Sequence, residues 1–332
     1  MSPRGRPSRL LVFESLEQAR LDLEVIGGLP EPTVVGDIWS EIWKDETHHS
    51  TAIEGNTLRL KQVQLLLDDG LVTGSSKELR EWLEVKAYGE AARWVYQHAV
   101  VGRYERADVY VTESDIRRIH ELVVRSVWEH FPPEGLLRGE APGAYRRREL
   151  EPLRPGFSPI PWTDVPSQLN DWLNRANARS EERGEHLMTH LASFHAAFER
   201  VHPFPDGNGR VGRLVFNLLL VRHGYPPAVI HKDEREKYLR CLERADGGDA
   251  GPLAELLARS VREGIYRFLM PALAGPLSVV PLAALATKDL SRYALVAAAQ
   301  RGRLKAHKHG NGWYSTRLWV EDYKASRRQR AA

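Results

Sequence analysis

The chain has 332 residues, 42% of them apolar and 27% charged, and a formal net charge of +3. That length leaves room for two domains and a large core, and a lone cysteine, Cys241, excludes an intramolecular disulfide framework and a zinc cluster. No apolar run approaches the roughly 18 residues of a spanning helix. Leu10-Leu11-Val12-Phe13 is also too short for a signal-peptide core, so the expected location is cytoplasmic, with no membrane partner.

In chain order, Leu16 to His98 alternates helical stretches with short polar breaks such as 70–76. Ile38, Trp39, Ile42 and Trp43 mark a helix over about 37–55, with Gly55 as its stop. Tyr104 to His130 predicts a helix pair, and 142–162 is rich in proline and glycine with little helical periodicity. Another helix is expected over Thr163 to Ala178, starting at Asp164 or Ser167. From Glu185 to Val201, Leu187, Leu191, Phe194 and Phe198 recur at helical spacing until Pro203 and Pro205 end the pattern. Val211, Leu214, Val215, Leu218 and Leu219 then form a second apolar stripe, with Gly224 at the capping position. A helix begins within Asp233 to Tyr238, and Leu253 to Met270 closes the helical body. His186 and His190 are spaced i, i+4, but the His-Glu-x-x-His pattern is absent, so no transition-metal site is expected there.

The densest chemistry lies in His202-Pro203-Phe204-Pro205-Asp206-Gly207-Asn208-Gly209-Arg210-Val211-Gly212-Arg213. The pattern is helix, tight loop, helix, with Gly207-Asn208-Gly209 at the start of the second helix. Unpaired N–H groups and the positive end of the helix dipole make an anion site there, and glycines let phosphate approach the backbone. Arg210 and Arg213, three apart, both reach phosphate oxygens. Asp206 is placed to hold Mg²⁺ between phosphates. An imidazole such as His202, with an ordinary pKa of about 6.5, accepts a proton from an attacking hydroxyl near neutral pH. The run reads as a triphosphate site with its own general base.

This run resembles the signature of the Fic family, His-x-Phe-x-Asp-Gly-Asn-Gly-Arg-x-x-Arg, at every specified position. The resemblance implies transfer of AMP from ATP to a Ser, Thr or Tyr hydroxyl of a protein target. His202 would be the base, Asp206 the Mg²⁺ ligand, and Gly207, Asn208 and Gly209 the cradle for the α- and β-phosphates. Arg210 would meet the β-phosphate, Arg213 the γ-phosphate, and Phe204 would anchor the loop. Relatives that transfer phosphate itself depart from the signature, notably at the second glycine, which this chain keeps. Asn217 and Tyr238 are weaker candidates for the nucleotide site, Tyr238 near the adenine.

Ser50-Thr51-Ala52-Ile53-Glu54-Gly55-Asn56 resembles the family's inhibitory helix, [Ser/Thr]-x-x-x-Glu-[Gly/Asn]. By that resemblance Glu54 would pair with Arg213 and block the γ-phosphate, with Ser50 on the same helix face and Gly55 closing the turn. Relatives also carry a β-hairpin flap, here expected over about 142–162, that docks a target backbone by strand addition.

From Leu277 onward, 11 Lys and Arg stand against 3 acids, a net +8 that leaves −5 for the preceding residues. Such asymmetry suggests nucleic-acid contact. A short helix at Pro281 to Ala286, a helix at Ser291 to Gln300, a hairpin over Arg303 to Tyr314 turning at Gly310-Asn311-Gly312, and a helix at Leu318 to Ser326 capped by Thr316 are expected. The segment resembles an excisionase-like or MerR-like winged helix-turn-helix, which implies the Ser291 helix in a major groove and the wing on phosphate.

The expected fold is therefore mainly α: a Fic helical fold with a β-hairpin flap, plus a small C-terminal winged helix-turn-helix domain. Expected divisions are a helical region at 1–113, a catalytic core at 114–270, a linker at 271–276 and the winged domain at 277–332. Three functional readings stay open. They are an auto-inhibited, Mg²⁺-ATP-dependent protein adenylyltransferase, a DNA-binding regulator whose core senses nucleotide, and an enzyme that removes AMP. The expected partners are a hydroxyl-bearing protein target and DNA, with a homodimer left open.

Overall fold

Helix α8 (Asn208–Arg222) is the axis on which the larger part of the chain is built. Every residue in it except Gly209 is buried, and a helix enclosed around its whole circumference needs neighbours on all sides. Those neighbours are α2 (Gly36–Ile53), α4 (Ser76–Glu105), α5 (Glu113–Trp128) and α7 (Gly184–Val201). The computed structural model describes residues 9–32, 36–70, 76–105, 109–151, 158–178, 184–273, 275, 278–309 and 312–331. Within it the chain divides into two compact units, one of 1–16 with 31–261 and one of 17–30 with 262–332.

Helix α1 (Arg9–Val25) is divided between the two units; in the first unit α3 (Leu60–Asp69) precedes α4, whose apolar residues Val85, Tyr88, Ala92, Val95, Tyr96 and Ala99 are all buried. That uninterrupted face carries α4 to Glu105, so 104–130 holds one complete helix, α5, rather than the expected pair. Thr112 starts α5 with a capping box: its hydroxyl accepts from Asp115 N–H at 3.1 Å and Asp115 accepts from Thr112 N–H at 2.9 Å. The same carboxylate meets His98 at 2.8 Å and Arg222 at 3.5 Å, knitting α4, α5 and α8 together. Burial opposes its charge, but these partners hold Asp115 down to about 2. Helix α6 (Val165–Ala176) has Pro166 in its first turn, and α9 (Arg235–Asp246) and α10 (Gly251–Gly264) follow α8.

Among the described residues of 142–162 no strand forms; 152–157 lie outside the description. The backbone here bonds to the catalytic-type loop instead, with Arg146 N–H donating to Pro203 O at 2.9 Å and Ile160 N–H to Arg200 O at 3.3 Å.

In the second unit the helical path continues past α10 through Ile265–Leu269 into α11 (Met270–Leu273), so 271–273 of the expected linker are helical. An antiparallel sheet then forms in the order β1 (Val280–Pro281), β3 (Gly312–Ser315), β2 (His307–His309). The short helix expected at Pro281 to Ala286 is instead the end of β1 and a turn. Leu282 N–H is taken by Trp313 O at 2.8 Å, which ties that backbone to the sheet. Ser291 caps α12 (Arg292–Gln300) through Ala294 N–H, and Thr316 caps α13 (Arg317–Ala331) through Trp319 N–H. Residues 310 and 311 of the expected turn lie outside the description.

A buried polar knot joins α2 to α4 and α8. Glu46 accepts from Tyr88 Oη and Asn217 Nδ2, each at 2.8 Å, and from the Tyr96 hydroxyl. Burial pushes its carboxyl up to about 7, although Tyr88, Asn217 and Arg213 act in the opposite direction. Because the folded value exceeds the unfolded one, this stabilisation is complete below about pH 4.5 and is lost as pH rises through 7. Glu46→Gln, a mimic of the protonated form, is expected to stabilise the chain by about 1–3 kcal/mol at pH 8 and to be near neutral at pH 5. Thermal unfolding at the two pH values checks this; equal effects at both would show that Glu46 is not the titrating group.

Candidate active site

The loop 202–207 is held from three directions before any ligand arrives. Arg146, almost fully buried, donates from Nε to His202 O at 2.8 Å and from Nη2 to Val201 O at 3.3 Å and Ile160 O at 2.5 Å. His120 lies under the loop, its ring stacked on Phe204 with centroids 3.8 Å apart. Its Nδ1 accepts from Gly143 N–H at 2.8 Å, so its other nitrogen, 3.2 Å from Asp206 O, is the donor. Burial holds the His120 ring neutral, down to about 3, which that tautomer requires. From within the loop, the Asn208 side chain accepts from Phe204 N–H at 2.9 Å and donates to Phe204 O at 2.8 Å. Phe204 itself is completely buried, as an anchor must be.

These clamps fix His202 at φ 48°, a left-handed conformation uncommon for residues other than glycine. The imidazole Nδ1 donates to Glu199 O at 3.0 Å, which leaves Nε2 with the lone pair. Burial lowers the His202 pKa to about 4, and Arg146 adds to that, so the ring is a neutral proton acceptor across the physiological range.

His202 lines a cavity of about 640 Å³ together with Glu54, Asp206, Gly207-Asn208-Gly209, Arg210, Arg213, Arg235 and Tyr238. Gly207 turns into α8 at φ 79°, where a side chain would be strained and its Cβ would lie 3.0 Å from Val124. Arg210 is buried beside this turn, its Nη2 3.5 Å from Asp206 Oδ2, and its Nε has no acceptor among the described residues. Asp206 accepts from Gly207 N–H at 2.7 Å and keeps 39% of its side chain accessible. A single accessible carboxylate beside unsatisfied cationic donors fits a Mg²⁺–phosphate ligand, in which phosphate and water complete the coordination.

At the mouth of α8 the anion position is already taken. Glu54 Oε1 accepts from Arg213 Nη2 at 2.8 Å and lies 2.6 Å from where a Cβ on Gly209 would be. Ser50 supports the contact: its Oγ accepts from Arg213 Nε at 2.7 Å and its carbonyl from Nη2 at 3.0 Å. Burial favours the neutral Glu54 acid, but Arg213 and Arg210 outweigh it and keep the carboxyl below its ordinary value. Gly55, at φ 103°, ends α2 one residue beyond, and Arg235 Nε grips Ile53 O at 2.7 Å. The structure thus brings Ser50, Glu54 and Arg213 together across more than 150 residues.

Not every sequence candidate converges here. Asn217 does not line the cavity; it is buried in the Glu46 knot, accepting from Ala228 N–H at 2.9 Å. Asn208 contributes its backbone at the start of α8, while its side chain serves the loop. Tyr238 does line the cavity, its hydroxyl 2.7 Å from His195 Nε2. Sequence reasoning missed His120, Glu199 and Arg235 and placed Arg146 only in a flap. Their partners are mostly main-chain carbonyls of remote segments, which leave no spacing pattern.

A proton acceptor, an anion cradle and two arginines around one cavity define a group-transfer site for a phosphorylated ligand. Residues 110–220 match the Fic/DOC family, and the chain carries a domain of that family. It is 30% identical to the protein adenylyltransferase Fic of Drosophila mojavensis over 69% of this chain and 42% of that protein. The corresponding protein of Culex quinquefasciatus is 30% identical over 74% of this chain and 45% of its own. The chain thus spans less than half the length of these curated relatives. Among solved structures, Fic-1 of C. elegans is 27% identical at a TM-score of 0.60, covering 78% of this chain and 72% of that one. A Fic family protein from Desulfovibrio desulfuricans shares the fold at a TM-score of 0.59 over 95% of this chain and 97% of that one, at 22% identity.

The Arg146 clamp has a measurable cost of removal. A lysine cannot serve several carbonyls with a planar fork, so Arg146→Lys is expected to lower unfolding stability by about 2–4 kcal/mol. Denaturant titration tests this; a loss under about 0.5 kcal/mol would show the loop to be self-supporting.

Proposed function

We propose that the chain is an auto-inhibited protein adenylyltransferase. The carrying observation is the contest at α8: Glu54 occupies Arg213 and the space over Gly209, where the end of a triphosphate would lie. In this reading the α- and β-phosphates rest on the backbone of Gly207 to Gly209, with Arg210 on the β-phosphate and Arg213 on the γ-phosphate once released. Asp206 would hold Mg²⁺, which would neutralise phosphate charge. His202 Nε2 takes the proton from a target Ser, Thr or Tyr hydroxyl as its oxygen bonds the α-phosphorus and pyrophosphate departs. Tyr238 borders the nucleotide end of the cavity. The target docks along 142–162, where Arg146 and the loop already fix the neighbouring backbone, and the reaction is cytoplasmic.

The basic second unit is proposed to bind DNA in the manner of a winged helix. Supporting this, Arg292 and Tyr293 at the start of α12 are exposed, as are Arg301, Arg303 and Lys308 toward the hairpin. Residues at the beginning of a recognition helix are the ones that reach base edges.

Glu54→Gly is expected to raise self-labelling from α-labelled ATP by about 5–150-fold, the range of an ordinary regulatory coupling. The signal should vanish in Glu54→Gly/His202→Ala and be absent with γ-labelled ATP. Label from the γ position would mean kinase chemistry, and no rise at all would remove the inhibitory role. For the second unit, duplex affinity is expected to fall linearly in log–log with salt, and Arg292→Ala to shift that slope by about 1 if it meets a phosphate. Salt-independent binding would exclude the DNA reading.

A further inference from the structure

Three potential metal ligands converge on the outer side of α2, away from the cavity. Asp45 and His49 are four residues apart and so face the same way. Their nearest atoms, Oδ1 and Nε2, are 3.8 Å apart. His231, just before the Lys232–Glu234 turn, lays its ring against His49 with centroids 4.4 Å apart. One ligand atom from each of the three lies within 4.8 Å of the others. Asp45 is buried and both histidines are partly so, which limits competition from solvent. None of the three lines the nucleotide cavity.

We propose that Asp45, His49 and His231 form a binding site for a divalent transition-metal ion, best matched by Zn²⁺. Two imidazoles and one carboxylate make a borderline-soft set that suits Zn²⁺ and not Mg²⁺, and a water completes four-coordination. Ligand atoms around tetrahedral Zn²⁺ lie about 3.4 Å apart, so the cluster closes by roughly an ångström or more on binding. Part of that movement is prepared. His49 Nδ1 now accepts from Lys232 N–H at 3.2 Å, at the long end for such a bond. When the ion binds the nitrogen facing Asp45, the proton there moves by way of water to Nδ1, and the Lys232 contact opens. The site joins α2, which carries Ser50 and ends just before Glu54, to the segment leading into Arg235 and Tyr238. An ion there braces the inhibitory helix in place; this consequence, unlike the site itself, rests on the reading of Glu54 given above.

The test uses the full chain, free of any polyhistidine tag and stripped with chelator. Titration calorimetry with Zn²⁺ is expected to give one ion per chain with a dissociation constant of about micromolar or below. Co²⁺ substitution is expected to give the visible spectrum of a four-coordinate nitrogen–oxygen site. His49→Gln, His231→Gln and Asp45→Asn should each weaken binding at least about 100-fold, since loss of supporting groups alone costs 10–100-fold. His186→Gln/His190→Gln should leave it unchanged. Wild-type melting temperature should rise with Zn²⁺ but not with an equal concentration of Mg²⁺, a readout that needs no variant. Absence of Zn²⁺ binding tighter than about millimolar, or binding that survives His231→Gln, overturns the site. Amide exchange along 44–54 should slow on Zn²⁺ binding; binding without that protection overturns the bracing of α2. None of these measurements depends on nucleotidyl transfer.

Discussion

One guanidinium cannot be fully engaged by two anions, and Arg213 is offered to both. It is buried in the second turn of α8, next to the N-terminal end where helix N–H groups and the dipole already favour negative charge. Leaving it unpaired there would be costly, so an internal anion is the natural resting partner. Glu54 supplies that anion and Ser50 supplies two further acceptors, so the contact satisfies a buried charge and, in the proposed reading, would also close the site. A triphosphate brings more charge and more oxygens than a carboxylate. Release then becomes an exchange of partners, and the bare loss of an ion pair is never required.

The two sides of this contact differ in how firmly they are held. The loop beneath His202 is bonded by Arg146, His120 and Asn208, mostly through its own carbonyls, and a positive φ is maintained at the base. Such a loop arrives with its reacting atoms in place and has little reorganisation to undergo during the reaction. The end of α2 is held chiefly by two arginines, Arg213 through Ser50 and Glu54 and Arg235 through Ile53 O. Farther back the same helix is fixed by Glu46, buried among Tyr88, Tyr96 and Asn217. In the proposed reading, freeing Arg213 would displace the Ser50–Glu54 end of this helix while the Glu46 knot stays in place.

Much of the reacting surface was legible in the sequence because it is local. The run from His202 to Arg213 carries its base, turn glycines and arginines within a few residues, and Ser50 with Glu54 obeys a helical period. Of the helices around α8, α2 and α7 followed from apolar spacing, whereas the length of α4 and the single helix α5 did not. What stayed hidden depends on chain folding over long distances. His120 sits among the buried residues of α5 and belongs to no motif; only its stacking on Phe204 and its bond to Asp206 O give it a role. Asn217, read from its place on the motif helix, lies one turn beyond Arg213, outside the cavity, and satisfies Glu46. The hairpin of 142–162 was expected from the family resemblance, in a stretch poor in helical periodicity, yet among the described residues the backbone there bonds to Pro203 O and to Arg200 O. Composition can exclude a helix without specifying what replaces it.

That replacement has a consequence for how a target would be read. A segment whose main chain is spent on the loop beneath it couples target docking to the geometry of the base. Arg146 is the shared element: its backbone N–H meets Pro203 O while its guanidinium spans His202 O, Val201 O and Ile160 O. Any peptide that presses on this segment acts on the carbonyls that set the His202 conformation. Recognition and base placement are therefore one mechanical unit on this face of the cavity. On the opposite face, Glu54 and Arg213 would answer to the nucleotide in the proposed reading. Both sides would then have to be settled for a hydroxyl to meet phosphorus, and the site would respond to its target and its nucleotide together.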